Sequence, residues 1–429
     1  MKRQFSLHRF LSQALRLPMA GPVFKLYAPR RRWKRSSGSP PRQRILIANL
    51  MPSLGDTICY MALVEVLRDA LPEAEITWLA DSAMAGLVAQ HPDIDRVLTI
   101  TIPPSRLLRI PTLGTYYRLY NIMRSILGMQ LDFPFNIAIV PRGGVDPSFS
   151  AHAVWMLNLP RSAGYSHLVE PADIDHHFGD PLVTDLEATI PTLHEAARGI
   201  HLLELIGVAP GALQHFTPES TLLRGLHAIA SSVDYPSLLQ KAGIPANQPF
   251  MVLSSGAGLP RKTWPAHKFR ELTSRILTNS GMLVVLTGSK TEVAVADTIA
   301  DGLGDRVINT AGKLNLTELI ALISHAAAFV GNDSGAGHIA GPLGIPLISL
   351  HVQAKNSDPY YIHAPEHYRP LGPHVTILQP EHFLAPCTVR CESTTVHCLD
   401  QITVDQVWTA LERTMTLPLL HSTSSPSST

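Results

Sequence analysis

Two widely separated segments of this chain each combine a short apolar run, a loop with glycine and aspartate, and the start of a helix. Residues 44–56 read Arg-Ile-Leu-Ile-Ala-Asn-Leu-Met-Pro-Ser-Leu-Gly-Asp, and residues 328–338 read Ala-Phe-Val-Gly-Asn-Asp-Ser-Gly-Ala-Gly-His. In parallel α/β folds, this order of strand, glycine loop and helix is where phosphate groups bind. The sequence therefore predicts two nucleotide-binding-type α/β domains that face one cleft.

Length and composition agree with a globular protein of at least two domains. The chain has 429 residues and 45% hydrophobic content, which is enough for large buried cores. No apolar run reaches the ~18 residues that a membrane-spanning helix needs. Four cysteines are too few for a disulfide scaffold, so a reducing cytosol is favoured.

The N-terminal 44 residues carry a strong positive charge. They hold twelve of the 35 Lys and Arg residues and no Asp or Glu. Apolar residues recur near helical spacing over 5–17, and a basic cluster with a tryptophan follows at 30–35. Such a segment suits an anionic membrane surface, and a solvated, disordered tail is an equal alternative. The interrupted apolar stretches argue against a secretory signal, and no nucleic-acid partner is expected.

From residue 44 onward, strand-like and helix-like segments alternate as in a doubly wound parallel sheet. We predict strands at 45–50, 75–80, 97–100 and 136–140, with a helix from about 56 to 70 and another ending near 87. Residues 103–131 interrupt this pattern with proline-rich turns, four arginines and three tyrosines. A surface helical excursion is favoured there over a contact with a ligand or a membrane.

A second set of α/β units follows in the C-terminal half. Strands are predicted at 250–254, 283–287, 307–309, 328–330 and 347–350, each followed by a polar loop. Residues 208–248 contain several prolines and glycines, so we expect an irregular segment there and place the hinge within it. The predicted organisation is a basic extension (1–43), a first domain (44–215), a linker or hinge (216–248), a second domain (249–413) and a disordered tail (414–429).

Four motifs in a fixed order give the chain its family resemblance. They are Ser53-Leu-Gly-Asp56; Gly256-Ala-Gly258 with Lys262-Thr-Trp-Pro265; Asp333-Ser-Gly335 with His338, Ala340 and Leu343-Gly-Ile-Pro346; and Cys387, Cys391, Cys398-Leu-Asp-Gln-Ile402 and Val407. Over about residues 44–413 the chain resembles glycosyltransferase family nine, the heptosyltransferases of lipopolysaccharide core assembly. The resemblance implies a GT-B architecture, with two Rossmann-like domains facing a central cleft, the acceptor mostly in the first domain and the nucleotide sugar in the second.

The resemblance also implies an activity. We expect an inverting glycosyltransferase without metal or other cofactor, which moves heptose from ADP-heptose onto a lipid-linked glycan such as lipopolysaccharide core. We expect it in the cytoplasm, with peripheral attachment to the inner membrane face through residues 1–44 as an option. A sugar-nucleotide epimerase or hydrolase of the same fold, and a non-catalytic nucleotide- or glycan-binding homologue, remain alternatives.

The resemblance makes Asp56 the candidate catalytic base. It follows a glycine near the end of the first strand, where a carboxylate can take the proton of an attacking acceptor hydroxyl. The structural alternative is that Asp56 caps the following helix. Ser53, Gly55 and Arg142 are weaker candidates on the acceptor side, because 103–131 and 141–146 match the family least.

Lys262 is the candidate that neutralises charge on a departing diphosphate, and a solvated surface lysine is the alternative. Gly256 and Gly258 let backbone amides approach a phosphate, although a plain turn uses glycines in the same way.

The loop beginning at Asp333 is the second candidate phosphate site. Ser334 and Gly335 are the expected phosphate contacts, because small residues opening a helix expose its amides. The resemblance adds Asp333 and His338 as donor-binding residues that organise the loop; an aspartate cap with a packed histidine is the alternative. Thr287 is a further donor-binding candidate. The resemblance implies that the Glu292 carboxylate binds the nucleotide ribose, and an exposed helix-start residue is an equally compatible interpretation of Glu292.

Three cysteines, Cys387, Cys391 and Cys398, lie close together near the C-terminus, with His397 beside them. Thiolates at short spacing can bind zinc, and His397 could supply a fourth ligand. The segment lacks a Cys-x-x-Cys pair, so structural packing is favoured and no metal is predicted.

Overall fold

The computed structural model of the chain describes residues 42–103, 111–131, 134–142, 148–165, 182–187, 193–359 and 364–415. The chain forms two compact units, Met1–Phe216 and Thr217–Thr429. The predicted basic extension and the C-terminal tail lie almost entirely outside the described residues. In the described part of the chain, no helix has the length and apolar character needed to cross a membrane.

The first unit is built on a parallel six-stranded sheet. Its strands, given in chain order, are β1 (Arg44–Asn49), β2 (Glu75–Asp81), β3 (Arg96–Ile100), β4 (Ile137–Val140), β5 (Ser162–Tyr165) and β6 (Asp185–Glu187). Their spatial order is β3-β2-β1-β4-β5-β6. In register, Ile45 of β1 pairs with Ile76 on one side and Ile137 on the other. The central strands are apolar and buried, as expected when helices cover both faces of a sheet.

The helices of the first unit connect these strands and cover the sheet. They are α1 (Leu54–Ala70), α2 (Ser82–Val88), α3 (Pro111–Gly128), α4 (Ser150–Leu157), α5 (Glu195–His201) and α6 (Pro210–Leu213). Helix α3 lies in the predicted insert. It buries Leu119, Ile122 and Ile126, spaced as on one helix face, and exposes Tyr117 and Tyr120. The insert is therefore a packed helix whose tyrosines face solvent, and residues 104–110 lie outside the described residues.

The second unit repeats the same architecture. Its strands are β7 (Phe250–Ser254), β8 (Leu283–Thr287), β9 (Val307–Asn309), β10 (Ala328–Asn332), β11 (Leu347–Leu350) and β12 (Val375–Leu378). Their spatial order is β12-β11-β10-β7-β8-β9, again all parallel. Its helices are α7 (Arg224–Ser231), α8 (Tyr235–Ala242), α9 (Ala266–Asn279), α10 (Val293–Ala300), α11 (Leu316–Ser324), α12 (Gly335–Ala340), α13 (Pro365–Tyr368) and α14 (Val404–Thr414).

Both sheets have the Rossmann strand order, in which successive strands are added on one side of the first strand and then, from the fourth strand, on its other side. These switch points lie between β1 and β4 in the first unit and between β7 and β10 in the second. Ligands of open α/β sheets bind beyond the carboxyl ends of the strands at this place. The predicted doubly wound fold is confirmed, and the two switch points are where the functional side chains should be sought.

The expectation of an irregular segment over 208–248 is wrong. Helices α7 and α8 lie there, and the backbone N–H of Leu223 donates to the carbonyl of Pro342 at 3.0 Å, so the segment packs within the second unit. Pro236 occupies the first turn of α8, and Gly243 takes a left-handed conformation after its end. These residues mark helix ends rather than an irregular chain. The hinge itself stays a prediction.

Candidate functional site

An ion pair spans the switch point of the second unit. Lys262, in the loop after β7, places Nζ 2.7 Å from Oδ2 of Asp333, which directly follows β10. Both side chains are partly exposed, Lys262 by 24% and Asp333 by 19%. Lys262 is therefore not a fully solvated surface lysine: its ammonium is held at the end of the sheet, where a ligand can still reach it.

A buried asparagine ties the two loops together. Asn332, the last residue of β10, accepts a hydrogen bond from the backbone N–H of Trp264 at 2.9 Å and donates to the carbonyl of Ser255 at 2.8 Å. Trp264 is fully buried, and its indole N–H donates to the carbonyl of Ile402 at 2.9 Å. Lys262 lies in the 3₁₀ turn Pro260–Lys262 between these anchored points, which fixes the base of its side chain.

His351, just after β11, lines a small pocket with Lys262 and Asp333. Burial, together with the charge of Lys262, lowers the pKa of His351 to about 4 even though Asp333 opposes this change. Its Nε2 lies 3.0 Å from the hydroxyl of Ser349. Burial alone would raise the pKa of Asp333, but the positive charges of its surroundings, His351 and Lys262 foremost, bring it well below its usual range. Since His351 is neutral at pH 7, Lys262 is the cation that keeps Asp333 ionised there.

Two hydroxyl groups at the strand ends have no hydrogen-bond partner among the described residues. They are Oγ of Ser334 and Oγ1 of Thr287, and both atoms are buried. Buried hydroxyls are normally hydrogen-bonded, so unpartnered ones at a switch point suit a ligand. Ser334, rather than Asp333, is the residue that precedes α12, which begins at Gly335 and buries His338 in the unit. The structure therefore does not support Asp333 as a helix cap.

The Glu292 carboxylate packs against the glycines of the neighbouring loops. It accepts a hydrogen bond from the backbone N–H of Ser289 at 2.6 Å, as part of a capping box. A Cβ at Gly256 would overlap this carboxylate, whereas a Cβ at Gly258 would meet open space. Glu292 is thus half-buried beside the β7 loop and not a fully exposed helix-start residue. An alanine at position 256 would therefore make the Glu292 carboxylate move, whereas position 258 has room for a Cβ.

A second ion pair spans the switch point of the first unit. Asp56, in the first turn of α1, pairs through Oδ1 with Nη1 of Arg142, which follows β4. Both side chains are nearly buried, with 11% and 10% of their surfaces exposed. Oδ2 of Asp56 takes no hydrogen bond from any residue that the structure describes. Ser53 precedes α1 and Gly55 lies within it, so Asp56 is not the residue that caps the helix.

The helix that carries Asp56 is anchored one turn further on. Tyr60 donates its phenolic hydrogen to Oε1 of Glu195 at 2.5 Å, and Arg198 lies 3.3 Å from the same carboxylate. All three side chains are buried. The buried hydrogen bond between Tyr60 and Glu195 joins α1 to α5 and so helps to fix the position of Asp56.

Comparison with known proteins gives a family. The model for glycosyltransferase family 9 (heptosyltransferase) matches residues 229–395. A lipooligosaccharide heptosyltransferase 2 of Haemophilus influenzae is 33% identical over 124 residues, 28% of this chain and 33% of that protein. The lipooligosaccharide heptosyltransferase 2 of Haemophilus ducreyi is 35% identical over 306 residues, which cover 70% of this chain and 80% of that protein.

The chain belongs to glycosyltransferase family 9. A crystal structure of the glycosyl transferase family 9 protein from Veillonella parvula superposes with a TM-score of 0.64 at 20% identity, covering 87% of this chain and 97% of the other. The predicted GT-B fold class, with two Rossmann-like domains, is confirmed.

The fold of this glycosyltransferase brings most of the predicted donor residues together. Lys262, Asp333, Ser334 and Gly335 meet at the β7 and β10 strand ends, and Glu292 reaches the same loop through Gly256. Arg142, predicted only as a weak acceptor-side residue, is the direct partner of Asp56. The predicted acceptor-facing residues 143–146 lie outside the described residues.

Three residues of the glycosyltransferase site were not predicted: Asn332, His351 and Gln353. Asn332 organises the loops, and His351 and Gln353 line a small pocket with Lys262 and Asp333. His351 and Gln353 directly follow β11, so the rule that ligands bind beyond strand ends would have found them. Asn332 carried no such signal, because an asparagine at the end of a strand usually indicates only a turn.

The side chains of the cysteine-rich segment also lie close together. The ligand atoms of Cys387, Cys391, His397 and Cys398 all lie within 4.8 Å of one another. All four cysteines of the chain are unpaired by disulfide bonds. Cys391 lines the pocket that Lys262 and Asp333 share, so this segment forms one wall of the second-unit site.

Proposed function

We propose that this enzyme transfers heptose from ADP-heptose to a glycan acceptor of the lipopolysaccharide-core type, by inverting displacement. Membership of family 9 supplies the reaction class, and the names of the relatives supply the donor sugar and the acceptor class. The observation that carries the proposal is the Lys262 ammonium held at the switch point, near a Ser334 hydroxyl for which the described residues supply no hydrogen-bond partner.

The second unit is assigned the nucleotide sugar. Lys262 faces the diphosphate and neutralises the charge that grows on it as the sugar leaves. Asp333 orients the Lys262 ammonium through their ion pair. Ser334 donates its hydroxyl hydrogen to a phosphate oxygen. The backbone at Gly256, Gly258 and Gly335 allows close approach of the phosphates.

The nucleoside end of the donor is assigned to two further side chains. Thr287 has a buried hydroxyl that lacks a partner among the described residues, and Glu292 presents a carboxylate beside the same loop. Both suit the hydroxyl groups of a ribose. His338 is buried in α12, the helix that directly follows Ser334, so its role is to support the loop at Asp333 and Ser334.

The first unit is assigned the acceptor and the base. The acceptor oxygen attacks the anomeric carbon, a bond forms between them, and the bond from that carbon to the diphosphate breaks. Asp56 takes the acceptor proton on Oδ2 while Arg142 holds Oδ1. The products are the glycoside and ADP, whose new negative charge lies beside Lys262.

We further propose a cytoplasmic enzyme that binds the anionic inner membrane face through residues 1–44. Twelve basic residues and no acidic ones in that segment support this placement. Near a surface each basic residue contributes about 1 kcal/mol of attraction, so the lipid-linked acceptor and the enzyme would share one surface.

Transfer assays with purified enzyme and ADP-heptose test the function. Core oligosaccharide that lacks its outer heptose serves as acceptor, and the products are resolved by mass spectrometry. The proposal expects a product heavier by one heptose and equimolar ADP, formed only with acceptor. Release of ADP or an altered sugar without acceptor would instead indicate the hydrolase or epimerase alternative. Failure to bind any nucleotide sugar would indicate the non-catalytic one.

A further inference from the structure

Four soft ligand atoms converge in the segment between β12 and α14. The Sγ atoms of Cys387 and Cys398 lie 3.6 and 3.4 Å from Nδ1 of His397, and the Cys391 thiol completes a group within 4.8 Å. The three cysteines are buried. Nothing in the transfer reaction uses these residues, so their convergence needs a separate explanation.

The spacing of these atoms matches a tetrahedral zinc site. Zinc binds thiolate sulfur at about 2.3 Å and imidazole nitrogen at about 2.0–2.1 Å, which puts sulfur and nitrogen about 3.5 Å apart at the tetrahedral angle. The two sulfur–nitrogen distances around His397 lie on either side of that value. The sequence lacks a Cys-x-x-Cys pair, and the folded chain provides the geometry that the spacing alone does not indicate.

We propose that Cys387, Cys391, His397 and Cys398 bind one structural Zn²⁺ in a closed Cys₃His site. Three thiolates and an imidazole are donors that select zinc, and four protein ligands leave no position for a substrate. The ion therefore plays no part in sugar transfer, and the proposed metal-independent reaction is unchanged. The backbone N–H of Glu392 donates to the Cys387 sulfur at 3.4 Å, a contact typical of outer-shell support around thiolate ligands.

The ion stabilises a wall of the second-unit site. Between β12 and α14 the only described helical turn is the 3₁₀ segment Cys398–Gln401. The segment nevertheless carries Asp400, whose carboxylate binds Lys268 at 2.7 Å, and Ile402, whose carbonyl binds the Trp264 indole. Binding of zinc to the neighbouring cysteines fixes this segment and, through Trp264, the loop that holds Lys262.

Metal analysis of the purified full chain tests the site. Elemental mass spectrometry on protein expressed in zinc-supplemented medium should give about one zinc per chain. Cys398→Ser should lose most of it. Cys59→Ala is the matched control and should keep it: Cys59 is a buried cysteine of the first unit, and burial with the charges of Asp56 and Glu195 raises the pKa of its thiol well above its usual range.

A second measurement covers the case in which Cys398→Ser misfolds. Folded wild-type protein is expressed in cobalt-supplemented medium, and thiolate-to-cobalt charge-transfer absorption with tetrahedral d–d bands is expected. His397→Cys should keep the metal as a Cys₄ site, whereas His397→Ala should weaken it. The proposal is overturned if wild-type protein shows neither stoichiometric zinc nor the cobalt spectrum. It is also overturned if the stoichiometric metal is iron, or if Cys398→Ser holds as much zinc as wild type.

Discussion

The two switch points of this enzyme carry the same kind of ion pair in opposite order. In the first unit the carboxylate, Asp56, follows the first strand and the cation, Arg142, follows the fourth. In the second unit the cation, Lys262, follows the first strand and the carboxylate, Asp333, follows the fourth. One strand order thus places a carboxylate after the first strand in one unit and a cation at the same place in the other.

The surroundings of the two pairs differ in a way that matches separate roles. The Asp56–Arg142 pair is nearly buried and sits on a helix anchored by the Tyr60–Glu195 hydrogen bond. The Lys262–Asp333 pair is more exposed, and the neighbouring Ser334 hydroxyl has no hydrogen-bond partner within the described part of the chain. The first arrangement holds a carboxylate in place, and the second leaves a cation accessible to an anion. The shared fold therefore sets the positions of the charged side chains, and the residue type at each position sets the sign of the charge.

The largest effect is expected from a substitution that removes the proposed base. Asp56→Asn keeps the shape of the side chain but loses its ability to take a proton, so kcat should fall by about 10²- to 10⁴-fold. The dissociation constant for ADP should stay close to wild type. Steady-state kinetics with saturating donor measure this change. Asp69→Asn, on the exposed end of α1, is the control and should match wild type; an active Asp56→Asn enzyme would refute the base assignment.

The next effect concerns the cation of the second unit. Lys262→Ala removes a charge-assisted contact of about 1.5–3 kcal/mol, so ADP should bind about 10- to 100-fold more weakly. Isothermal titration calorimetry gives the value. Lys241→Ala is the matched control, because it breaks a 2.6 Å ion pair with Glu318 elsewhere in the same unit. Equal loss of ADP affinity in both variants would show that Lys262 has no special role.

The third effect is a pH dependence at the second switch point. The pKa of His351 in the folded protein is about 4. Below about pH 6.5 the unfolded chain therefore binds a proton at this histidine that the folded chain does not bind. The free energy of unfolding should therefore fall by up to about 3 kcal/mol as pH drops from about 6.5 to 4. The contribution of Asp333 is lost only at lower pH, because its own pKa is lowered further.

Urea unfolding at pH 7 and pH 4.5 measures this loss. His351→Gln keeps a hydrogen-bonding group near Ser349 but cannot take up the proton, so the loss should shrink in the variant. An identical pH dependence in the two proteins would mean that His351 does not titrate as described.

The smallest effect is a difference in thermal stability between alanine substitutions at two glycines of one loop. Gly256→Ala would push a Cβ into the Glu292 carboxylate, and moving that carboxylate would break its hydrogen bond to the Ser289 N–H, at a cost of about 0.5–1.5 kcal/mol. Gly258→Ala meets open space and should leave thermal unfolding unchanged. Differential scanning calorimetry compares the two variants. Equal melting temperatures would show that the Glu292 carboxylate moves aside freely.

Much of the fold could be predicted from local pattern. Strands β7, β8, β9 and β11 were predicted with the bounds that the structure has, because each is a short apolar run before a polar loop. Strands β5, β6 and β12 were not predicted. Strands β5 and β6 lack such a run, whereas β12 has one, Val-Thr-Ile-Leu, and was missed. Helices α7 and α8 were missed because their proline and glycine signals were interpreted as irregular chain.

The candidate site was predictable where a glycine motif marked it. Asp56, Lys262 and Asp333 were named in advance, and the structure brings the latter two together. The partnership of Arg142 with Asp56 was not predictable, since it depends on two strands that are adjacent only in the folded sheet. The roles of these residues in catalysis and binding stay predictions.

Calorimetric titration of ADP-heptose into Asp56→Asn and Lys262→Ala, side by side, tests the division of work between the two units most directly. The account predicts wild-type affinity for Asp56→Asn and about 10- to 100-fold weaker binding for Lys262→Ala. Loss of donor affinity in Asp56→Asn with unchanged binding in Lys262→Ala would place the donor at the first switch point and contradict the account.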